Sequence, residues 1–297
     1  MPMTPEHLER RKKYLTASDL SAIFNENQFK TAGDVWVEKT MPTEPDEAGE
    51  AAEFGNHVED GLVKFASAKL GKPIKRNQWR VAENGVMAAT LDAMTTDDED
   101  GIEAKSAGVY NPFADLEAWG DNNSDMVPMR VLIQCVGQMI ACPSLKRVCV
   151  PALLTGRRGP QWYVIPRDQA LCDAIEKRAL AWWQKHVVGG VVPDQEKQGP
   201  TVDTLRRVIV TPLAECQLPD DLVRKWRDAK EAAKKAEELA DLFTAEVMVQ
   251  MGEAELGLCN LGKVKRMLIN RAGYVVEPTS YRQLRFTKAK EAKPPKE

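Results

Sequence analysis

Apolar and polar positions along this chain change pattern near Pro200. Before it, short helix-like and strand-like periods succeed one another. Thr4-Pro5 reads as a cap followed by proline in a first helical turn, opening a basic helix that ends near Arg10-Arg11-Lys12-Lys13. Thr16-Ala17-Ser18-Asp19 precedes Leu20, Ile23 and Phe24, and predicts a second capped helix. From Glu53 to Leu70, residues Val58, Leu62, Val63, Phe65, Ala66 and Leu70 share one arc of a helical wheel, and Gly71 supplies the stop. Residues 79–92 and 101–107 predict strands, with 95–101 too polar to be other than a hairpin turn. A long polar loop over 108–130 leads into an apolar helix near Val131–Ala141. Arg147–Leu154 and Gln161–Ile165 predict strands joined by the turn 155–160, and Asp168–His186 a helix closed by Gly189-Gly190.

Beyond Pro200, Leu222, Trp226, Ala229, Ala233, Ala236, Ala240, Phe243 and Val247 recur at alternating spacings of four and three. That heptad seam predicts one long helix packing on a partner helix, of this chain or another. Residues 261–287 read as short strands turning at Arg271-Ala272-Gly273, and the charged, Pro-Pro-containing stretch 288–297 as a disordered tail. The expected organisation is an α/β domain over 1–200, a helical and β extension over 201–287, and the tail.

Composition narrows the partners. With 297 residues, 43% of them apolar, the chain can bury a core. A net charge of −3 is not that of a bulk polycation, so any nucleic-acid site is a local basic groove. Candidate walls are Arg10–Lys13, Lys72–Arg76, Arg157-Arg158 and Lys263–Arg266. The six cysteines form no CxxC and none stands near a histidine at zinc spacing, which reads as reduced, packed thiols. No signal peptide and no membrane-spanning run is evident, so a cytoplasmic location is expected.

The hairpin sets up candidate chemistry. It brings Asp92 beside Glu103, and alternation puts Glu103 and Lys105 on one face with Ala104 turned inward. Two carboxylates within about 4 Å repel unless a cation lies between them, and hard oxygen ligands favour Mg²⁺ or Mn²⁺. Lys105 would orient or deprotonate a water there. A cross-strand ion pair on a solvent-facing hairpin accounts for the same residues. Glu59 lies inside its helix's apolar arc while Asp60 lies outside, so Glu59 is either a ligand of the same metal or the partner of a core arginine or lysine. Gln134, on the apolar helix, either holds a water or phosphate or is a structural amide. Ser18 and Thr16 either are helix-capping groups or, with Arg11, would make a phosphate pocket at a helix N-terminus.

In order, RKKYLTASD at 11–19, GNHVE at 55–59, Leu91-Asp92, Glu103-Ala104-Lys105 and QCVGQM at 134–139 resemble the phage lambda exonuclease/YqaJ viral recombinase family, of the PD-(D/E)xK nuclease superfamily. The resemblance covers about residues 9–195 and implies a restriction-endonuclease-like core, a central mixed sheet flanked by helices. It implies a 5′→3′ exonuclease on double-stranded DNA with two Mg²⁺ ions, or Mn²⁺ in their place. Asp92 would bridge the metals, Glu103 and the Ala104 carbonyl would bind the first, and Glu59 the second. Lys105 would activate the water with Gln134, and Arg11, Ser18 and Thr90 would hold the 5′-phosphate. A homotrimeric ring and a single-strand annealing partner in phage recombination are implied as well. Val131 stands where the family often has an aromatic residue and Leu91 where it often has proline. A related endonuclease or opposite-polarity exonuclease, and a non-catalytic DNA-binding scaffold, remain alternatives.

Overall fold

Capping and charge shape the first elements. The computed structural model describes residues 5–45, 49–108, 116–194 and 197–269. Helix α1 (Pro5–Lys12) carries Arg10, Arg11 and Lys12 in its last turn, where they complement the helix dipole. Its expected cap, Thr4, lies outside the described residues. Strand β1 (Leu15–Thr16) leads into helix α2 (Ala17–Ile23), tied by Asp19, which accepts the Thr16 N–H at 3.0 Å and the Thr16 hydroxyl at 2.7 Å. Helix α3 (Ala32–Thr40) is absent from the periodicity-based expectation. Its signal is a capping box: the Asp34 N–H donates to Thr31 Oγ1 at 3.0 Å, and the Thr31 N–H to the Asp34 carboxylate at 2.9 Å. Helix α4 (Glu50–Leu70) ends as expected at Gly71, whose φ of 63° suits glycine.

The stretch expected as one strand over 79–92 is a hairpin of β2 (Ile74–Val81) and β3 (Met87–Thr95). Asn84 forms its turn, its Oδ1 accepting the N–H groups of Val86 and Met87, each at 2.9 Å. The stretch 101–107 also divides, into β4 (Asp100–Ile102) and β5 (Lys105–Ala107). Helix α5 (Met129–Ala141) follows the loop, then the antiparallel pair β6 (Arg147–Leu154) and β7 (Gln161–Pro166). Helix α6 (Gln169–Trp182) is capped by Asp168 and runs on as a π-helical turn over Trp183–Val188. The short helix α7 (Val202–Arg206) is tied back to α3, because the Thr201 N–H and hydroxyl donate to Asp34 at 2.7 and 2.9 Å.

These strands form one seven-stranded mixed sheet. Strand β3 pairs antiparallel with β2 and β4 and parallel with β1, and β6 takes β4 and β5 parallel and β7 antiparallel. Helices cover both faces. Leu20, Met87, Leu91, Val136, Met139 and Tyr163 belong to a core shared with α2, α5 and α6. Val63 and Ala66 of α4 pack with Ala93, Ile102 and Trp162 on the other face, and Ala104 packs against that cluster. The fold is the α/β architecture expected, a mixed sheet flanked by helices.

A second compact unit begins at Val210. Helix α8 (Asp220–Met251) is the long heptad helix expected. Leu222, Phe243 and Val247 are 54, 53 and 42% exposed, and no partner helix covers them among the described residues of this unit. A hairpin of β8 (Leu256–Cys259) and β9 (Gly262–Lys265) follows, so the first strand starts ahead of residue 261. Arg266 reaches back from it to the carbonyls of Gly252 and Met248 at 2.9 and 3.1 Å. The expected turn at Arg271-Ala272-Gly273, the strands beyond it and the tail at 288–297 lie outside the described residues. No helix among the described residues is long and apolar enough to cross a membrane.

Candidate active site

The break between β4 and β5 is made by a side chain. Backbone pairing of β3 with β4 stops at Ala93–Ile102, and the Ala104 N–H donates to the Asp92 carboxylate at 2.8 Å. The Glu103 N–H stays in the sheet through the Cys149 carbonyl at 3.0 Å. Glu103 is 4% exposed, and a buried carboxylate needs donors. It has three: Lys105 Nζ at 2.6 Å, Gln134 Nε2 at 2.7 Å and Gln138 Nε2. Lys105 Nζ also donates to Gln134 Oε1 at 3.0 Å, closing a triangle. Gln138 is the participant that sequence reasoning missed. Its signal is its place one turn after Gln134 on the same apolar helix face.

Charge in this pocket is unbalanced. Burial pushes the Asp92 carboxyl well above the usual carboxylate range, and the nearby Glu103 and Glu59 carboxylates push it further, against Lys105 and the Ala104 N–H. Burial disfavours the Lys105 ammonium, yet the adjoining Glu103 and Asp92 outweigh it and raise its pKa. Lys105 is therefore a proton holder and donor as the chain stands. Glu59 is paired with Arg76 Nη2 at 2.9 Å, an arginine one-third exposed rather than in the core. Asp60, on the outer side, is exposed and pairs with Lys64 and Arg76.

Glu59, Asp92, Glu103, Ala104 and Lys105 line one cavity of about 280 Å³. Glu59 and Asp92 also face an adjoining cleft of about 440 Å³, together with Arg11, Ser18, Thr90 and Gln134. The carboxylates, Lys105, Gln134 and the Arg11–Ser18–Thr90 group thus line two adjoining hollows that have Glu59 and Asp92 in common. Among the described residues, no three His, Cys, Asp or Glu side chains stand together at ligating geometry. Glu59 is turned to Arg76 and Glu103 to its amine and amide donors. In kind the donors fit a hard divalent ion, carboxylates whose mutual repulsion a cation would relieve. An ion held there would compete with Arg76 for Glu59.

In the cleft, Arg11 Nη2 donates to Ser18 Oγ at 2.7 Å and reaches Thr16 Oγ1 at 3.4 Å. Behind this pair Asp19, 1% exposed, meets Lys30 at 2.9 Å and Lys39 at 2.8 Å. Lys39 Nζ also donates to the Arg11 carbonyl at 2.9 Å. Burial opposes the Asp19 charge, but Lys30, Lys39 and Arg11 outweigh it and hold the carboxyl well below the usual range. Neither lysine was legible as part of a site, since each lies far from Asp19 in sequence.

Residues of three of the basic runs expected to face DNA are otherwise engaged. Lys72 pairs with Asp97 and Asp100, each at 2.8 Å, and Lys75 with Asp98 at 2.5 Å. The acidic turn after β3 therefore clamps the start of β2. Arg157 donates to the carbonyls of Trp119 and Gly120 at 2.6 and 2.5 Å. In the second unit, Lys265 pairs with Glu255 at 3.3 Å and Arg266 with backbone carbonyls.

Residues 6–144 match the family model of the YqaJ-like viral recombinase domain, the family that the motifs of this chain resemble. Over 205 residues it is 28% identical to YqaJ of Bacillus subtilis (strain 168), an uncharacterized protein; the match takes in 68% of this chain and 62% of that protein. Its fold is shared with LHK-Exo, an alkaline exonuclease from Laribacter hongkongensis, solved with dAMP. That match has a TM-score of 0.50 at 16% identity, and covers 63% of this chain and 94% of the other.

Proposed function

We propose that this chain is a metal-dependent deoxyribonuclease that degrades double-stranded DNA from 5′ ends, serving phage-type recombination by single-strand annealing. One observation carries the reading. The Glu103–Lys105–Gln134 triangle opens into a hollow with Glu59 and Asp92, beside the Arg11–Ser18 pair. The YqaJ-like domain and the fold shared with an exonuclease support it.

Glu59, Asp92, Glu103 and the Ala104 carbonyl would hold two Mg²⁺ ions, with Mn²⁺ as the alternative. When bound, such ions neutralise charge on the attacking and leaving oxygens of a phosphodiester. The chain's own groups do the rest. Lys105, held protonated, donates to an oxygen of the water or phosphate and keeps it in line. Gln134, fixed by Lys105 and Glu103, offers its amide to the same oxygen. Arg11, Ser18 and Thr90 receive the terminal 5′-phosphate in the cleft. A three-subunit ring on duplex DNA and an annealing protein as partner complete the proposal.

The test is a blunt, 5′-phosphorylated duplex with Mg²⁺ and strand-specific end labels. We expect the 5′ label to be released first and chelation to stop the reaction. Lys105→Ala should slow it by about 10²–10⁴-fold. Equal, slow degradation by wild type and Lys105→Ala would overturn the assignment, and 3′ label appearing first would overturn its polarity.

A further inference from the structure

One aromatic side chain in the cleft has no part in the chemistry above. Trp79 lies on β2 directly across the ladder from Thr90, and both line the same cleft as Asp92 and Gln134. Its surroundings hold the ring in place. The Arg10 guanidinium carbon sits 4.3 Å from its centroid, and Tyr14 meets it edge-on at 5.8 Å. Two residues before it, Asn77 faces the cleft from a left-handed backbone at φ 51°. In the otherwise continuous β2–β3 register Asn77 is the position opposite Asp92, and no pairing is made there. A left-handed residue inside a strand costs energy, and such strain concentrates where a chain shapes a ligand site.

A fixed indole carrying a cation, at the wall of a hollow with a carboxylate floor, matches one ligand chemistry. Every nucleobase has a π face, and stacking on aromatic rings and on guanidinium groups is tolerant of sequence. We propose that Trp79, supported by Arg10, is the stacking platform for the base of the terminal nucleotide whose phosphate lies at Arg11 and Ser18. A base lodged there leaves its pair in the duplex, and the platform offsets the lost stacking. The inference rests on the DNA-end reading of the same site and adds a base-binding subsite to it.

The experiment measures binding first, so that it does not depend on catalysis. The full-length chain in EDTA is titrated with two 5′-phosphorylated duplexes, one with an ordinary 5′-terminal nucleotide and one with an abasic residue there. Trp79→Ala, Trp79→Phe and Trp79→Leu are compared, with thermal melting as the folding control. We expect Trp79→Ala to weaken binding of the ordinary end by about 5- to 150-fold. The abasic end should weaken wild-type binding by a similar factor, and the two changes together should cost no more than either alone. Trp79→Phe should retain most of the affinity, and Trp79→Leu, which fills space without a π face, should not. Losses that multiply, or an ordinary end bound equally by wild type and Trp79→Ala, would overturn the platform. The same series under Mg²⁺ should repeat the pattern in kcat/KM. Wild type that binds in this pattern yet cleaves neither end would refute the nuclease reading and leave the platform standing.

Discussion

Asp92 is under stress from its neighbours. It is surrounded by like charge and poor in donors, with one backbone N–H against two carboxylates. A residue so placed serves ligand binding at the expense of the metal-free fold. Asp92→Asn keeps an oxygen for the Ala104 N–H and removes the repulsion. We expect this variant to be inactive and to melt higher than wild type in EDTA near pH 7.5, by about 2–4 °C for each kcal/mol relieved; an unchanged or lower melting temperature would contradict the crowding. Asp19 is the opposite case, a buried carboxylate with cations on two sides. Its folded pKa lies below its unfolded value near 3.9, so the unfolded chain binds the proton more readily. Its contribution to stability is thus full above about pH 4 and is lost only as pH falls from there through the depressed folded value. Asp19→Asn should cost about 3–5 kcal/mol at neutral pH, because the buried Lys39 loses its counterion and Lys30 is left with Glu38 alone. The wild-type advantage in denaturant titrations should shrink only in acid.

At the level of elements, helix α5 joins the two halves of the site. One face gives Gln134 and Gln138 to Glu103, and another packs so closely on α2 that Gly137 has no room for a side chain. A Cβ there would lie 2.6 Å from Leu20 Cδ1 and 2.9 Å from Ala17 Cβ. Gly137→Ala should destabilise the fold by about 1–3 kcal/mol through overpacking. It should also push α2 outward and weaken binding of a 5′-phosphorylated end more than of a 5′-hydroxyl end, since Ser18 rides on α2. Equal weakening of both ends would show that the shift stops short of Ser18. Helices such as α4, α5 and α8 were legible because apolar periodicity, with a glycine stop in α4, is a local signal. The hairpin turn at Asn84 was not, because the apolar run on both sides reads as one strand. Nor was the β4–β5 break, which depends on Asp92 of a neighbouring strand taking the Ala104 N–H. Asp92, Glu103, Lys105 and Gln134 could be read from spacing and family motif, whereas Gln138, Lys30 and Lys39 become meaningful only once the chain is folded.

Across the whole molecule, every described residue placed in the site lies before Val210, and so does the helix α7 that ties back to α3. Gly33 shows how tightly that return is made, since a Cβ there would fall 2.1 Å from the Pro200 backbone nitrogen. A chain ended after Ile209 keeps these contacts and both core clusters, whereas one ended before Gly199 keeps the clusters but loses the return contacts to α3. Helix α8 contributes no buried residue, and its i,i+4 pairs, such as Lys235–Glu231 at 2.7 Å, support a helix in water without a core beneath it. Exposed substitutions away from caps and cores shift stability by about 0.5 kcal/mol or less. We therefore expect Phe243→Ser to leave the melting of the first unit unchanged. The chain ended at Ile209 should unfold cooperatively and degrade DNA ends at a per-chain rate within a few-fold of full length, as measured by end-label release under single-turnover conditions. A collapse of that rate in a well-folded truncation would show that the heptad helix completes the active assembly. Retention would assign its exposed apolar seam to association, to be read from sedimentation of the full chain beside the truncation.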